Sequence, residues 1–327
     1  MERAALLAQR SNPHPNPRVG AVVITPAGEA VGEGHHVEPG QPHAEVVAMA
    51  AAGERARGAT LVVTLEPCNH QGRTPPCTDA ILAAGLSGVL VGAVDPDQQV
   101  RGSGIDRLRA SGIEVEVIDP PLISVDPAYF HHRRTGRPFV TLKLAATLDG
   151  QTAAADGSSR WITGEAARED AHRLRAEVDG VVVGSGTMRI DDPRLDVRIE
   201  GYTGRQPRPV VIAGSQPLPQ SAHLWDRDPL VIRPAEGGRV DLASALGEMG
   251  EAGLLSVLVE GGPTLAGAFL AAGLVDRGVL YLAGKLAGGV GRPLFDRSWP
   301  SLDSAREISI DNVAQLGPDL RIEFELK

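Results

Sequence analysis

The chain has 327 residues, of which 42% are hydrophobic and 22% charged, a composition typical of a globular protein with a substantial core. This length predicts two domains. The net charge of −9 comes without a basic stripe, which argues against a dedicated nucleic-acid surface, and no apolar run approaches the roughly 20 residues of a membrane span. The first residues favour a helix over a signal peptide, and the two cysteines fit a reducing cytoplasm.

Strands and helices alternate through the first half of the chain, which indicates a layered α/β sheet. β-branched and apolar runs predict the strands, while proline and glycine mark the helix ends. In chain order the predicted elements are helix 3–10, strands 19–24 and 29–34, helix 43–53, strand 60–65, helix 77–85, strand 89–94, helix 103–110 and strand 113–118.

A second α/β pattern begins after a seam between 119–121 and 133–138, where breakers and charges replace periodic apolar sequence. We therefore expect one domain over 1–137 and another over 138–327. The predicted elements of the second are strand 139–145, helix 164–177, strands 180–183, 210–213, 229–232 and 256–259, helix 264–272, and strands 278–282 and 321–326.

The strongest chemical signal is His43-Ala44-Glu45 followed by Cys68 and Cys77. A His, a Glu two residues later and two downstream thiolates form the signature of zinc deaminases. Three protein ligands leave one zinc position for water, whose pKa the metal lowers to roughly 7. Glu45 can take the proton of that water and deliver it to the ring nitrogen and the leaving amine. The pattern predicts His43, Cys68 and Cys77 as metal ligands and Glu45 as the catalytic residue.

Simpler interpretations of these residues exist. The cysteines can be small buried apolar residues or a disulfide, although nothing in the sequence points to an oxidising compartment. A single His-x-Glu is common on helices, but its combination with a strand and Pro-Cys favours zinc. Eight residues separate the cysteines here, against two in the usual signature. The longer loop carries His70, Arg73 and Thr74, and we expect it to have a further role.

Several motifs together resemble those of the bifunctional deaminase–reductases of riboflavin biosynthesis. The resemblance runs in order through almost the entire chain. Its segments are 14–20, 43–45 and 64–77 in the first half, and 142–150, 159–163, 184–187, 191–193 and 260–267 in the second.

The resemblance implies a cytidine-deaminase-like domain followed by a dihydrofolate-reductase-like domain. The first would deaminate a diaminopyrimidine that carries a ribosylamino phosphate, with zinc. The second would reduce the ribosyl group to ribityl with NADPH. In the first half, the resemblance implies that Asn16 holds the substrate near the ring and that His36, His70 and Arg73 meet the phosphate.

The residues themselves support these roles unequally. A guanidinium suits phosphate, which favours Arg73. His35 looks as plausible as its neighbour His36. A loop histidine that faces water is as good an interpretation of His70 as a ligand.

The second half has weaker motifs of its own. Gly184-Ser185-Gly186 lacks the rest of a dinucleotide fingerprint and is more typical of a turn, whereas Glu260–Thr264 follows a strand and opens a helix that can cradle a phosphate. The resemblance places NADPH at Ala145, Trp161, Thr187, Asp191, Ser215, Gly262, Pro263, Thr264, Leu265, Ala266, Gly267 and Ala268. It places the substrate at Ser159, Arg175, Leu195, Arg198 and Glu260.

Lys143 is a further substrate-binding candidate. The chain has only three lysines, and this one falls inside a predicted strand. It is either an ammonium required by the site or a sheet-edge lysine that points to solvent. The sequence names no proton donor for the reduction, and it does not choose between Arg189 and Arg239 as the group that meets the 2′-phosphate of NADPH.

Two other functions stay open at this point. One is a zinc deaminase for tRNA or a nucleoside with a non-catalytic second domain, although the acidity and the long inter-cysteine loop argue against tRNA. The other is a protein in which one half has lost its activity. For the favoured function we expect a cytoplasmic homodimer that acts on small phosphorylated pyrimidines and binds neither nucleic acid nor membrane.

Overall fold

The computed structural model describes residues 1–234, 238–289 and 291–327. The chain divides into two compact units, Met1–Gly136 and Arg137–Lys327. The Arg137 guanidinium donates to both carboxylate oxygens of Asp276 at 2.9 Å, which ties this residue to the second unit. Within the described residues, no helix has the length and apolar character needed to cross a bilayer.

The first unit carries one sheet and five α-helices. The order of its strands is β2-β1-β3-β4-β5; β1 runs antiparallel to β2 and β3, and β3, β4 and β5 are parallel. Its elements are α1 (Glu2–Ala8), β1 (Gly20–Ile24), β2 (Ala30–His35), α2 (Ala44–Ala52), β3 (Thr60–Val63), α3 (Cys77–Ala84), β4 (Gly88–Val91), α4 (Ser103–Ala110), β5 (Glu114–Val117) and α5 (Pro127–Thr135).

Helix α2 packs unusually close to strand β2, and glycine makes this possible. A Cβ at Gly32 would lie 2.1 Å from the Ala48 carbonyl oxygen, and one at Gly34 would lie 2.3 Å from that of Ala44. A larger residue at either position would push the helix away from the sheet. The close packing fixes the amino-terminal end of α2, where the zinc-type motif begins.

The second unit is built around an eight-stranded sheet. Its order is β10-β9-β8-β11-β6-β12-β15-β14, in which the first six strands are parallel and the last two antiparallel. Its elements are β6 (Phe139–Thr147), β7 (Gln151–Ala153), α6 (Glu165–Glu177), β8 (Gly180–Gly184), α7 (Ser185–Asp191), β9 (Arg208–Ile212), β10 (Leu230–Ile232), α8 (Leu242–Glu251), β11 (Ser256–Val259), α9 (Pro263–Ala271), β12 (Arg277–Ala283), β13 (Arg292–Pro293), β14 (Ile308–Leu316) and β15 (Asp319–Leu326).

Strand β6 illustrates how the second sheet separates two cores. Val140, Leu142 and Leu144 are buried in one apolar cluster, while Ala145 packs against the cluster on the other side. Because successive side chains on a strand point to opposite faces, Lys143 lies on the face of Ala145. The parallel strands on both sides of β6 mean that this lysine is inside the sheet and not at its edge.

The predicted elements agree with the structure, which contains six further α-helices and strands that were not predicted: α5, α7, α8, β7, β13 and β14. Helix α5 lies inside the segment interpreted as a breaker-rich seam, where Asp126 caps its first turn by accepting from the Tyr129 amide at 3.1 Å. Helix α7 occupies the glycine pair interpreted as a turn. Helix α8 and strand β14 were not predicted; β14 is mostly exposed and lacks a clear apolar pattern. His43 was expected in the first turn of α2 and is its N-cap.

Candidate functional site

Three segments of the first unit bring His43, Cys68 and Cys77 together. His43 is the N-cap of α2, Cys68 lies in the loop after β3, and Cys77 is the first residue of α3. The His43 Nδ1 atom lies 3.6 Å from the Cys68 sulfur and 3.3 Å from the Cys77 sulfur. The three predicted metal ligands therefore form one cluster, and their ligand atoms all lie within 4.8 Å of one another.

The cluster has the dimensions of a zinc site. Bonds of about 2.3 Å to sulfur and 2.0 Å to nitrogen place the ligand atoms of a tetrahedral zinc roughly 3.3 to 3.8 Å apart. The Nε2 atom of His43 lies 3.2 Å from the Thr74 hydroxyl, so that Nδ1 faces the sulfurs. Such a contact fixes the ring orientation of a metal-binding histidine. Thr74 stood in the predicted loop without an assigned role, since sequence does not reveal which loop hydroxyl reaches the ring.

The electrostatics of the two thiols also suit a cation. A hydrogen bond from the Cys77 thiol lowers the pKa of Cys68 to about 4, and the same contact and burial raise the pKa of Cys77. The hydrogen bond to Cys68 raises the pKa of His43 despite its burial. The cluster thus holds a proton between its ligand atoms, and metal binding to such ligands releases protons.

Glu45 lies in the first turn of α2, two residues after His43. Its residue surface is only 3% exposed, yet it lines a cavity of about 350 Å³ together with His43 and Cys68. Burial raises the pKa of this carboxyl. A carboxyl inside the cavity beside the metal ligands is in a position to exchange protons with groups bound there.

Asn16 and His36 form a hydrogen-bonded pair on the wall of the same cavity. The amide nitrogen of Asn16 lies 2.9 Å from His36 Nε2, and His36 Nδ1 lies 3.4 Å from the Pro42 carbonyl oxygen. Burial lowers the pKa of His36, which favours a neutral ring that donates to Pro42 and accepts from Asn16. The described lining includes His36 but not His35, so the structure separates two histidines that the sequence left equivalent.

Three other segments contribute to the remaining cavity wall. His70 and Arg73 are exposed side chains of the inter-cysteine loop that line it. Asp95 follows β4, and Tyr129 and Arg133 belong to α5. The Tyr129 hydroxyl donates to Asp95 at 3.2 Å, and burial raises the pKa of Asp95 to about 6. The sequence analysis missed Asp95, Tyr129 and Arg133, which become neighbours of the motif only through the sheet order.

The second unit contains a long cavity of about 780 Å³ at the carboxyl ends of parallel strands. Ligands of open α/β sheets bind in this position. The helix N-terminus at Gly262 and Pro263 follows β11 and offers free amide groups. Of the predicted cofactor residues, those that line the cavity are Thr187, Asp191, Ser215, Gly262, Pro263, Thr264, Leu265 and Ala268.

Four predicted cofactor residues are not on this lining. Ala266 is fully buried in the apolar core, and Gly267 faces the side chain of Arg297. Ala145 packs against the other core. Trp161 is 64% exposed and lines a separate cavity of about 390 Å³. The guanidinium carbon of Arg168 lies 4.7 Å from the centre of the Trp161 ring. The helix period explains why Ala266 and Gly267 are not on the lining, since only one side of the first turn of α9 faces the cavity.

The 390 Å³ cavity holds a buried cluster of charges. Arg175 donates to both Glu260 oxygens, at 2.5 and 2.9 Å, and Lys143 Nζ lies 3.9 Å from Glu260. Burial by itself raises the pKa of Glu260, but Arg175 and Lys143 together hold it at about 2. Burial lowers the pKa of Lys143, and Glu260 opposes this only in part. Lys143 is therefore not a sheet-edge lysine that points to solvent, and it lines the smaller cavity.

The other predicted substrate residues divide between the two cavities. Arg198 lines the smaller one, and Ser159 lines the larger. Leu195 is 3% exposed and packs in the core, so it lines neither. His172 lines the smaller cavity and was missed; its Nδ1 atom lies 3.2 Å from the Asp196 carbonyl oxygen, and burial lowers its pKa. Its spacing of three residues from Arg175 on one helix face was the available signal.

Comparisons with known proteins match both units. A family described as the cytidine and deoxycytidylate deaminase zinc-binding region matches residues 1–93, and the RibD C-terminal domain matches 138–321. The riboflavin biosynthesis protein RibD of Escherichia coli is 40% identical over 98% of this chain and 96% of its own. A solved structure of RibD from Acinetobacter baumannii covers 100% of this chain and 97% of its own at 35% identity, with a TM-score of 0.92.

A second solved structure carries a more explicit name. It is the diaminohydroxyphosphoribosylaminopyrimidine deaminase/5-amino-6-(5-phosphoribosylamino)uracil reductase of Thermotoga maritima. It is 32% identical, covers 100% of this chain and 97% of its own, and has a TM-score of 0.90. The similarity therefore extends through both units.

Proposed function

The chain belongs to the bifunctional deaminase–reductases of riboflavin biosynthesis, and from that premise we propose which of its residues carry each activity. Its two reactions are the hydrolytic deamination of a ribosylamino-diaminopyrimidinone phosphate and the reduction of the ribosyl group of the product to ribityl. The deaminase half depends on zinc and the reductase half on NADPH.

In the deamination, His43, Cys68 and Cys77 hold the metal, which supplies Lewis acidity beside the substrate ring. Glu45 takes a proton from the attacking water and delivers protons to the ring nitrogen and to the departing amine. Asn16, oriented by His36, positions the ring. Ammonia leaves, and a carbonyl replaces the amine. His70 and Arg73 meet the phosphate from the inter-cysteine loop.

In the reduction, bound NADPH would supply the hydride that the sugar carbon carrying the amine accepts. The bond from that carbon to the ring oxygen of the sugar breaks, and the oxygen needs one proton. Lys143 is the donor, because burial lowers its pKa and its ammonium faces the smaller cavity beside Glu260. Arg175 fixes Glu260, and Ser159, Arg198 and Glu260 orient the substrate. Leu195 contributes only through packing.

The cofactor lies in the larger cavity. The amide groups of Gly262, Thr264 and Leu265 at the start of α9 would hold its pyrophosphate, and Thr187, Asp191, Ser215 and Ala268 line the remainder of the cavity. Ala145, Trp161, Ala266 and Gly267 support this site through packing or from the neighbouring cavity. Arg239 lines the larger cavity, whereas Arg189 donates to Ser185 at 3.3 Å, so we assign the 2′-phosphate to Arg239.

The observation that supports this division best is that each unit contains its own set of reactive groups. Residues 1–137 contain the metal cluster with Glu45, and residues 138–327 contain the Lys143–Glu260–Arg175 cluster beside a cofactor-sized cavity. Full-length similarity to bifunctional relatives favours this function over a tRNA or nucleoside deaminase with a non-catalytic second domain.

A pair of matched variants tests the division. Glu45→Gln keeps the side-chain shape and should lower ammonia release by at least 10²- to 10⁴-fold, while reduction of substrate supplied already deaminated stays near wild type. Glu260→Gln should weaken NADPH oxidation and leave ammonia release intact. If Glu45→Gln abolished both activities in a folded, zinc-loaded protein, one shared site would have to replace the two.

The proposal extends to the setting of the enzyme. It is a cytoplasmic homodimer that acts on small phosphorylated pyrimidines and does not bind nucleic acid, in keeping with its net charge of −9. Ile310 and Val313, 59% and 55% exposed on edge strand β14, support an interface between copies. Light scattering of the purified chain tests the dimer, and a monomer at micromolar concentration would contradict it.

A further inference from the structure

Helix α5 contributes an arginine to the deaminase cavity that no motif predicted. Arg133 lines this cavity with Asp97 and Tyr129, far along the chain from the zinc-type motif. Its side chain is 34% exposed, and that of Asp97 is 26% exposed. Arg133 and Arg73, a residue of the inter-cysteine loop, are both exposed residues at the wall of this cavity.

Two neighbours hold Arg133 in place. Its Nε atom lies 3.5 Å from an Asp97 carboxylate oxygen, and the guanidinium carbon lies 5.2 Å from the centre of the Tyr129 ring. Tyr129 is itself fixed, since its hydroxyl donates to Asp95. A guanidinium has five N–H donors, and the contacts with Asp97 and Tyr129 do not use all of them. The terminal amino groups can therefore donate to an oxyanion in the cavity.

Asp97 explains why a cation is needed at this point. Its other carboxylate oxygen accepts from the Gln99 amide at 3.0 Å, which anchors the loop after β4. The carboxylate adds negative charge to a cavity wall that already contains Asp95. A substrate phosphate that approached this wall would be repelled unless a neighbouring cation balanced the charge. Arg133 is the cation paired with Asp97.

We propose that Arg133 is a phosphate-binding residue of the deaminase site, which donates to the substrate phosphate while it neutralises Asp97. This inference rests on the proposed deaminase function and adds a specificity-determining residue to it. Arg73 reaches the phosphate from an exposed loop, and Arg133 reaches it from a helix on which its neighbours restrict its motion. A guanidinium already held in place loses less conformational entropy on binding.

The test compares substrates with and without the phosphate. Arg133→Ala should raise the KM of deamination on the order of 10- to 100-fold for the phosphorylated substrate, the loss of one charge-assisted hydrogen bond. The KM for the dephosphorylated substrate and both kcat values should change less than about twofold, because the reacting ring is bound elsewhere. Ribose 5-phosphate should likewise weaken as a competitive inhibitor.

Arg134→Ala is the matched control. Arg134 is the next residue, stacks 5.5 Å from the centre of the Phe130 ring and lines a different cleft. It should leave both KM values unchanged. The double variant Asp97→Asn/Arg133→Ala should recover several-fold of the lost affinity, because it removes the carboxylate that Arg133 neutralises. A double variant no better than Arg133→Ala would refute the neutralising role.

If Arg133→Ala raised the KM equally for both substrates, or for neither, the inference would be overturned. The proposed zinc deaminase function would be unaffected by that result. Failure of the wild-type chain to release ammonia from the phosphorylated substrate would instead overturn the proposed function. Zinc content, measured on every variant, separates a changed phosphate contact from a damaged metal cluster. The two failures are therefore distinguishable.

Discussion

The two candidate sites differ in how the chain assembles them. The metal cluster comes from residues 43 to 77, and its ligand atoms lie within 4.8 Å. The reductase cavities collect side chains from residue 143 to residue 297, contributed by β6 and β12, by the ends of β8, β9 and β11 and by neighbouring helices and loops. The residues of a local cluster have a recognisable spacing in the sequence. The residues of a site built from several strands can be recognised only when the sheet order is known.

Removal of one metal ligand should have the largest effect. Cys68→Ala leaves two ligands, too few for the three-ligand catalytic site that zinc deaminases use. We expect the zinc content to fall from one per chain toward zero and deamination to fall by more than about 10³-fold. Metal analysis and ammonia release measure both, and NADPH oxidation with deaminated substrate serves as the control. A variant with full zinc and full deamination would contradict the assignment.

The equivalent change in the reductase half is Lys143→Met. It removes the proposed proton donor and should lower reduction of deaminated substrate by about 10²- to 10⁴-fold. Lys143→Arg keeps the charge beside Glu260, but a guanidinium does not release its proton, so it should be similarly slow. The dissociation constant of NADPH, measured by fluorescence, should stay within about twofold. A fast Lys143→Arg enzyme would show that the charge alone is what matters.

The sequence predicted the deaminase site more completely than the reductase site, and the reason is physical. His43, Cys68 and Cys77 are fixed by local turns and helix ends, which short-range patterns describe. Asp95 and Arg133 lie on elements that reach the same cavity only because β3 and β4 are neighbours and α5 returns to the sheet. No local rule contains that information.

In the reductase half the resemblance selected segments that line the cavities, but also residues of those segments that face away from them. The segment 262–268 opens α9, yet Ala266 and Gly267 turn away from the cavity because a helix presents only part of each turn to one side. For Lys143 the face of the strand could be read from the sequence, but the position of the strand in the sheet could not. Alternation of Leu142, Lys143 and Leu144 already indicated two faces, but only the position of β6 inside the sheet distinguished a buried ammonium from an exposed edge.

The assignment of the NADPH 2′-phosphate to Arg239 also depends on the sheet order. Arg239 follows β10, two strands and roughly 10 Å from the helix that follows β8, given a strand spacing of about 4.8 Å. Arg239→Ala should weaken NADPH binding on the order of 10-fold while NADH binding is unchanged. Arg297→Ala, which lines the same cavity, is the matched control. Equal weakening of both dinucleotides would exclude Arg239 as the selective residue.

The smallest expected effect is on the pH dependence of stability, to which Glu260 in the second unit and Asp95 in the first contribute with opposite signs. Glu260 has its pKa held near 2, so its contribution to stability is present above about pH 4.5 and is lost only in stronger acid. Asp95 has its pKa raised to about 6 by burial, so the native state retains a proton that the unfolded chain has released. Ionisation of Asp95 therefore lowers stability as pH rises from about 4 to about 6, and above about pH 4.5 Glu260 contributes no slope in that range.

Asp95→Asn isolates this contribution, because an asparagine oxygen can still accept from Tyr129 and from the Asp97 amide. Between pH 5 and pH 7 the free energy of unfolding of the wild type should fall relative to the variant by on the order of 1 kcal/mol. Urea titrations of both proteins at both pH values measure the difference, in which the other titrating groups cancel. A difference that did not change with pH would mean that Asp95 is already ionised at pH 5, and that the acidic wall of the deaminase cavity carries its full charge there.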